Sequence, residues 1–310
     1  MQKLKRILGS YTQGLNGPLL LCVGGLHGNE WAGIKALDLI MKMLEVEPIT
    51  NPSFKFFGKM VCFMGNLPAL KAGKRYIRRD LNRLWKPEHL KRLRDPNFCR
   101  HDVREMAKLK QAIDREIRHW EGDEIYLIDL HTTTATGGIF CLPVDTKPSI
   151  EVAKEMNAPV ILGLVERLEG TMLQHYTIGD HSKPIKGVVF ESGQHYDPLS
   201  INRSIAGVIN CMRTVGSVLP EHVVNRHDQL LISYSKGLPK VARLIYAHRI
   251  KWGDRFVMQP GYENFQMVRK GELLAKDRHG EIRAVENGLM LMPHYQKQGN
   301  DGFFLVHKIS

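Results

Sequence analysis

The sequence is poor in the features that would place it outside the ordinary globular class. Its five cysteines, Cys22, Cys62, Cys99, Cys141 and Cys211, are odd in number, scattered and without a CxxC pair. That excludes a disulfide framework and a thiolate metal site, and leaves reduced, mostly buried thiols. No apolar run is long enough to span a bilayer, and the opening MQKLKRILGSYTQG is basic but lacks the apolar core of a secretion signal. A cytoplasmic protein with no membrane partner is therefore expected. There is no internal repeat and no low-complexity tract, and with 43% hydrophobic and 25% charged residues the chain is expected to fold.

A dense basic block is also missing. Lys and Arg number 44 against 32 Asp and Glu, a net charge of +12, but the basic residues run from Lys3 to Lys308 intermixed with acids. Such a surface attracts anions, and without a basic arm it favours small anionic molecules over nucleic acid. Nothing in the pattern fixes the oligomeric state, a homodimer included.

What is present reads as layered α/β structure. Apolar runs bounded by glycine, PLLLCVGG and KMVCFMGN, predict buried strands, as do DEIYLIDLH and KGVVFESG. Between them, Ile34, Leu37, Ile40 and Leu44 keep one apolar face after Asn29, a good helix cap, and predict a helix from about 30 to 44. Residues 102–120 carry the stripe Val103, Met106, Leu109, Ile113, Ile117 and Trp120, with their charges on a solvated face. Residues 202–219 align Ile205, Val208, Met212 and Val215. Beyond about Pro220 the texture changes to short strand-like runs between glycine turns, which predicts a smaller β-rich second domain. Residues 1–222 and 223–310 are the expected division.

The chemistry gathers at predicted strand ends, where open α/β sheets place their active groups. His27 and Glu30 follow the first buried strand, His131 ends DEIYLIDLH, and Glu191 ends KGVVFE. Two histidines and a carboxylate with an open fourth position form the ligand set of a hydrolytic zinc site. Glu30 lies three residues from His27 around a glycine loop, so both can reach one ion. Glu191, arriving from another strand, is better placed as the base. Asp129, two residues before His131, shares its face of the strand and can orient the imidazole. In GKRYIRRDLNRLW, residues 73–85, five positive charges surround Asp80, which can hold an arginine in place while others clamp a carboxylate or steady an oxyanion. Taken singly, each residue has a plainer explanation. A lone histidine is more often core or surface, an Arg-rich run is usually solvated, and Glu191 alone could cap the next loop. Their common position at glycine-flanked strand ends favours the site.

The segments GGLHGNE, KRYIRRDLNR, LIDLHTTT and VVFESG, in this order and at these separations, resemble the succinylglutamate desuccinylase and aspartoacylase family of zinc carboxypeptidase-like enzymes. NLPALKAGKRY, GELLAKD and FFLVHKIS extend the similarity over most of the chain. The resemblance implies a carboxypeptidase-like mixed sheet flanked by helices, followed by a smaller β-rich domain that narrows the entrance. It implies one zinc ion per chain on His27, Glu30 and His131, with Glu191 activating water, Arg75 polarising the scissile carbonyl, and Asn82 and Arg83 holding the carboxylate of an amino acid. The implied reaction is hydrolysis of the amide bond of a succinyl- or acetyl-amino acid. Arg78 and Arg79 stand where aspartoacylases carry an acid and a neutral residue, which makes Arg78 a candidate reader of a second anionic group. TIGDHSKPIKG lacks the arginine that aspartoacylases carry before the catalytic glutamate, and Tyr295 is the candidate for their late tyrosine. A peptide-cleaving metallocarboxypeptidase would use the same site chemistry. A zinc protein without turnover would have no use for Glu191 and Arg75, and a nucleic-acid binder would explain only the charge.

Overall fold

Residues 19–23, LLLCV, are uniformly apolar because they have strand neighbours on both sides and protein on both faces. The computed structural model describes residues 4–179, 183–223 and 225–310. Its first strands are β1 (Ile7–Thr12), β2 (Leu15–Gly24), β3 (Phe57–Met64), β4 (Ile125–Thr133), β5 (Phe140–Pro143), β6 (Val160–Leu162) and β7 (Ile185–Gln194). β2 lies parallel between β3 and β4, and β4 lies parallel to β7. β1 and β5 run antiparallel to β3 and β7, so the sheet is mixed, as expected.

Alternate residues of a strand face opposite layers. Leu19, Leu21 and Val23 pack with Val103, Met106, Leu109, Ile113 and Ile117 of helix His101–His119. Leu20 and Cys22 pack on the other side with Leu37 and Ile40 of helix Ala32–Thr50 and Val208 and Met212 of helix Leu199–Thr214. In β4 and β7, Leu127 and Val189 belong to the first of these layers, and the same parity carries Asp129, His131 and Glu191 to that side. All five cysteines are free thiols, four of them buried.

Three expectations change. The first helix starts at Ala32 after Trp31, and Asn29 does not cap it. It continues to Thr50, past the end of its apolar stripe, because Val46 and Ile49 in its last turns are exposed and leave no periodic signal. The charges of the 102–120 stretch are not all solvated: Asp102 and Glu105 are buried, the latter paired with Arg6.

The remaining strands are β8 (Val241–Arg249), β9 (Val257–Met258), β10 (Met267–Val268), β11 (Leu273–Asp277), β12 (Gly280–Arg283), β13 (Gly288–Leu291) and β14 (Asp301–Lys308). β8 joins β6 in parallel, and among the described residues one sheet of eleven strands runs in the order β1-β3-β2-β4-β7-β5-β6-β8-β14-β13-β10. β12, β11 and β9 form a separate sheet of three strands. The C-terminal region is β-rich, as its glycine-punctuated sequence predicts, and has a small core of its own around Met258, Leu274, Met290, Phe303 and Leu305. Its alternate residues Phe304 and Val306 pack into the main core. Among the described residues no helix is long and apolar enough to cross a membrane.

Candidate metal centre and active site

The site begins where β2 ends. Gly25 takes φ +71°, a left-handed conformation that suits glycine. At Gly28 a Cβ would lie 2.0 Å from the carbonyl carbon of Ala69, so only a missing side chain lets this loop rest on the backbone of helix Leu67–Ala72. The Gly28 N–H donates to the carbonyl oxygen of Arg75 at 3.1 Å, joining the loop of His27 and Glu30 to the arginine-rich loop.

The Glu30 carboxylate sits between two imidazoles. His27 Nδ1 is 2.9 Å from Oε1, and His131 Nδ1 is 2.9 Å from Oε2. All three side chains are buried, and their ligand atoms lie within 4.8 Å of one another. Each ring turns its other nitrogen to a second carboxylate. His27 Nε2 is 3.2 Å from Asp80 Oδ1, and His131 Nε2 approaches Asp129 Oδ2 to 2.9 Å, off the ideal hydrogen-bond axis. Asp129 therefore lies where its spacing from His131 predicts. Carboxylates behind the Nε2 atoms favour the tautomer whose Nδ1 lone pair points inward, which suits a cation between the two rings and Glu30.

The electrostatics agree. Burial works against the charge on Glu30, but His27 and His131 hold its carboxyl well below the usual range. Burial would lower the His131 pKa, and Asp129 and Glu30 outweigh it, raising it well above the usual value. The anionic groups thus stabilise positive charge at this point, and two imidazoles with one carboxylate fit zinc.

Glu191 pairs with His131 across the β4–β7 ladder. Its Oε2 is buried without a hydrogen-bond partner among the described residues, and burial pushes its carboxyl up to about 8 despite the pull of His131. A buried carboxyl that changes charge near neutrality suits proton transfer.

The loop after Gly73 supplies the rest. Asp80 Oδ2 accepts from Arg75 Nε at 3.1 Å, which confirms that Asp80 holds an arginine, and its Oδ1 accepts the N–H of Asn82 at 2.9 Å to start the short turn Leu81–Arg83. Arg75 Nη1 lies 3.6 Å from Glu30 Oε1. The loop is fastened from behind by Asp102, whose oxygens accept the N–H groups of Ile77 (3.0 Å), Arg78 (2.6 Å) and Arg79 (3.0 Å) and the Asn66 amide (2.7 Å).

One cavity brings together His27, Glu30, Arg75, Asn82, Arg83, His131 and Glu191. Arg83 donates to the carbonyl oxygen of Asn82 at 2.6 Å and pairs with Asp301, while Asn82 Oδ1 accepts the N–H of Met172 at 2.8 Å. Arg78 is not there: it and Arg79 are exposed and line a separate groove beside Phe98. Tyr295 also lies outside the cavity lining and hydrogen-bonds to the backbone of Gln259 and Tyr262. Of the TIGDHSKPIKG segment, residues 180–182 lie outside the described residues.

His195, His294, Gln296 and Asp301 also line the cavity and were not foreseen. His195 Nδ1 is 2.6 Å from Thr132 Oγ1, and its Nε2 is 3.4 Å from the Asn29 amide. Its place four residues past Glu191, at the same sheet edge, was a usable signal. The other three arrive from the C-terminal region, and nothing near them in sequence marks them.

Comparison with known proteins agrees with this geometry. The profile of the succinylglutamate desuccinylase/aspartoacylase catalytic domain matches residues 16–214. A probable aspartoacylase from Nostoc sp. is 33% identical over 117 residues, which cover 38% of this chain but only 36% of that protein. A succinylglutamate desuccinylase from Pseudomonas aeruginosa is 28% identical over 287 residues, covering 87% of this chain and 77% of the relative. In fold, the crystal structure of a succinylglutamate desuccinylase from Vibrio parahaemolyticus superposes with a TM-score of 0.67 at 18% identity, over 97% of this chain and 84% of the other. A profile match through β2, β4 and β7, the strands that bring His27, Glu30, His131 and Glu191 together, shows that the chain belongs to the succinylglutamate desuccinylase/aspartoacylase family.

Proposed function

We propose that the protein is a zinc-dependent amidohydrolase that cleaves the amide bond of an N-acyl amino acid to a carboxylate and a free amino acid. The observation that carries this reading is the convergence of His27 Nδ1, His131 Nδ1 and the Glu30 carboxylate beside the buried Glu191 carboxyl, whose Oε2 has no hydrogen-bond partner among the described residues, in a cavity that also holds two guanidinium groups. His27, Glu30 and His131 would hold the zinc, which when bound supplies Lewis acidity that polarises a carbonyl and acidifies water.

The chain's own groups do the rest. Glu191 takes the proton of the attacking water and returns it to the leaving amine nitrogen. Arg75, fixed by Asp80, donates to the carbonyl oxygen as negative charge develops there. Arg83 and Asn82 hold the substrate carboxylate. Residues 223–310 act as a second domain that narrows the entrance, a role supported by Met292, His294, Gln296 and Asp301 in the cavity lining. That wall favours a small acyl amino acid over a long peptide.

Metal analysis and turnover of Glu191→Gln together test the reading. The purified protein is expected to carry one zinc per chain and to lose activity on chelation. Glu191→Gln is expected to keep the metal while kcat falls about 10²- to 10⁴-fold. His131→Ala is expected to lose the metal itself. Near-normal turnover in the Glu191 variant would overturn the assignment.

A further inference from the structure

The cavity lining is of two unlike kinds. Thr132, His195 and Gln296 are polar, whereas Leu142, Val165, Leu168, Leu173, Val189 and Phe304, all buried, supply an apolar wall. The apolar wall adjoins Arg83. Asn82 accepts the N–H of Met172, and the Trp85 N–H donates to the Gly170 carbonyl at 3.1 Å, so the turn that carries Arg83 is fastened to the segment that supplies Leu168 and Leu173.

Positive charge is scarce here. Among the described residues lining the cavity, Arg75 and Arg83 are the only arginines, and there is no lysine. Arg75 is held by Asp80, and Arg83 shares its guanidinium with Asp301, which brings a negative charge of its own. The Arg78 that could have read a second anion faces another groove. A succinylated glutamate carries three carboxylates and an acetylated aspartate two. Each one beyond the first would find, among the described lining residues, no arginine or lysine free of a carboxylate partner, and a carboxylate buried without a cationic partner is disfavoured.

We propose that the amino acid released is one with an apolar side chain, seated against this wall with its carboxylate on Arg83, and not a dicarboxylic amino acid. The proposal rests on the amidohydrolase reading and names the substrate class of that same site.

The test pairs turnover with binding, using the zinc-loaded protein. kcat/KM is measured for N-acetyl-leucine, N-acetyl-aspartate and N-succinyl-glutamate, and calorimetry gives the affinities for free leucine, aspartate and glutamate. The leucine compounds are expected to lead by at least about tenfold in both series. Faster hydrolysis of either acidic substrate overturns the proposal and leaves the amidohydrolase reading standing. No hydrolysis of any substrate, with leucine bound more tightly than aspartate, sinks the amidohydrolase reading and supports the apolar wall. No hydrolysis and no preference for leucine overturn both. Leu168→Arg, or Val165→Arg should the first variant not fold, is expected to move the ratio of N-acetyl-aspartate to N-acetyl-leucine turnover upward by about tenfold or more. A ratio unchanged in a folded variant overturns the placement of the side chain.

Discussion

Gly28 shows how strongly the candidate metal centre depends on a side chain that is not there. A Cβ 2.0 Å from the Ala69 carbonyl carbon cannot be accommodated by rotating anything, because the obstacle is backbone. The loop itself must move, carrying His27 on one side and Glu30 two residues away on the other. Gly28→Ala is therefore expected to lose roughly 1–3 kcal/mol of stability and to bind zinc with reduced stoichiometry, measured by urea unfolding and metal analysis. Wild-type values in both would show that the loop is not pinned where the structure puts it. At this scale much of the site was legible: His27, Glu30, His131 and Glu191 are residues that packing does not want, placed where buried strands stop. Asn29 was misread because its type suits a helix cap, whereas its amide faces His195 and Gln296, partners 166 and 267 residues away that no local pattern reports.

The arginine-rich loop has little regular structure, and one carboxylate on the neighbouring helix takes three of its backbone N–H groups. Asp102 is itself buried and receives three backbone N–H groups and one amide. Asp102→Ala removes the shared acceptor of all four donors, the buried Asn66 amide among them, so a loss of about 2 kcal/mol is expected. Because Arg75, Asn82 and Arg83 ride on the same loop, kcat/KM is expected to fall in the folded variant while zinc content stays near wild type. Asp102→Asn, which keeps one acceptor oxygen, is expected to recover part of both. An Asp102→Ala protein with full kcat/KM would show that the loop orders itself. The apolar faces of the helices were readable from their periodicity, since Val103 through Ile117 and Ile205 through Met212 pack as that spacing requires. The same reasoning sent Asp102 to solvent, because periodicity sorts faces by average polarity and is blind to a buried acid that satisfies the backbone of another segment.

Across the whole molecule, the C-terminal region meets the cavity at Asp301, the first residue of β14. Its carboxylate pairs with Arg83 from the site and lies 3.1 Å from Arg249 of β8. The sequence marked this region as β-rich but not its reach into the cavity, since the pairing of β14 with β8 and of β8 with β6 joins segments far apart in the chain. The contact has a definite pH signature. Burial pushes the Asp301 carboxyl upward, but Arg83 and Arg249 outweigh it and hold it below the ordinary carboxylate value. A group whose folded pKa is depressed stabilises fully above its unfolded pKa, about 3.9 for Asp, and that contribution is lost as pH falls through the folded value. Asp301→Asn is therefore expected to unfold more easily than wild type at pH 7, by roughly 1–3 kcal/mol. The gap should begin to close below about pH 5, as the wild-type carboxyl takes up its proton, and should be smallest once the folded group is protonated. Urea midpoints of both proteins from pH 7 down to about 3 measure it. A gap that stayed constant over that range would mean that Asp301 holds the two regions together by shape rather than by charge.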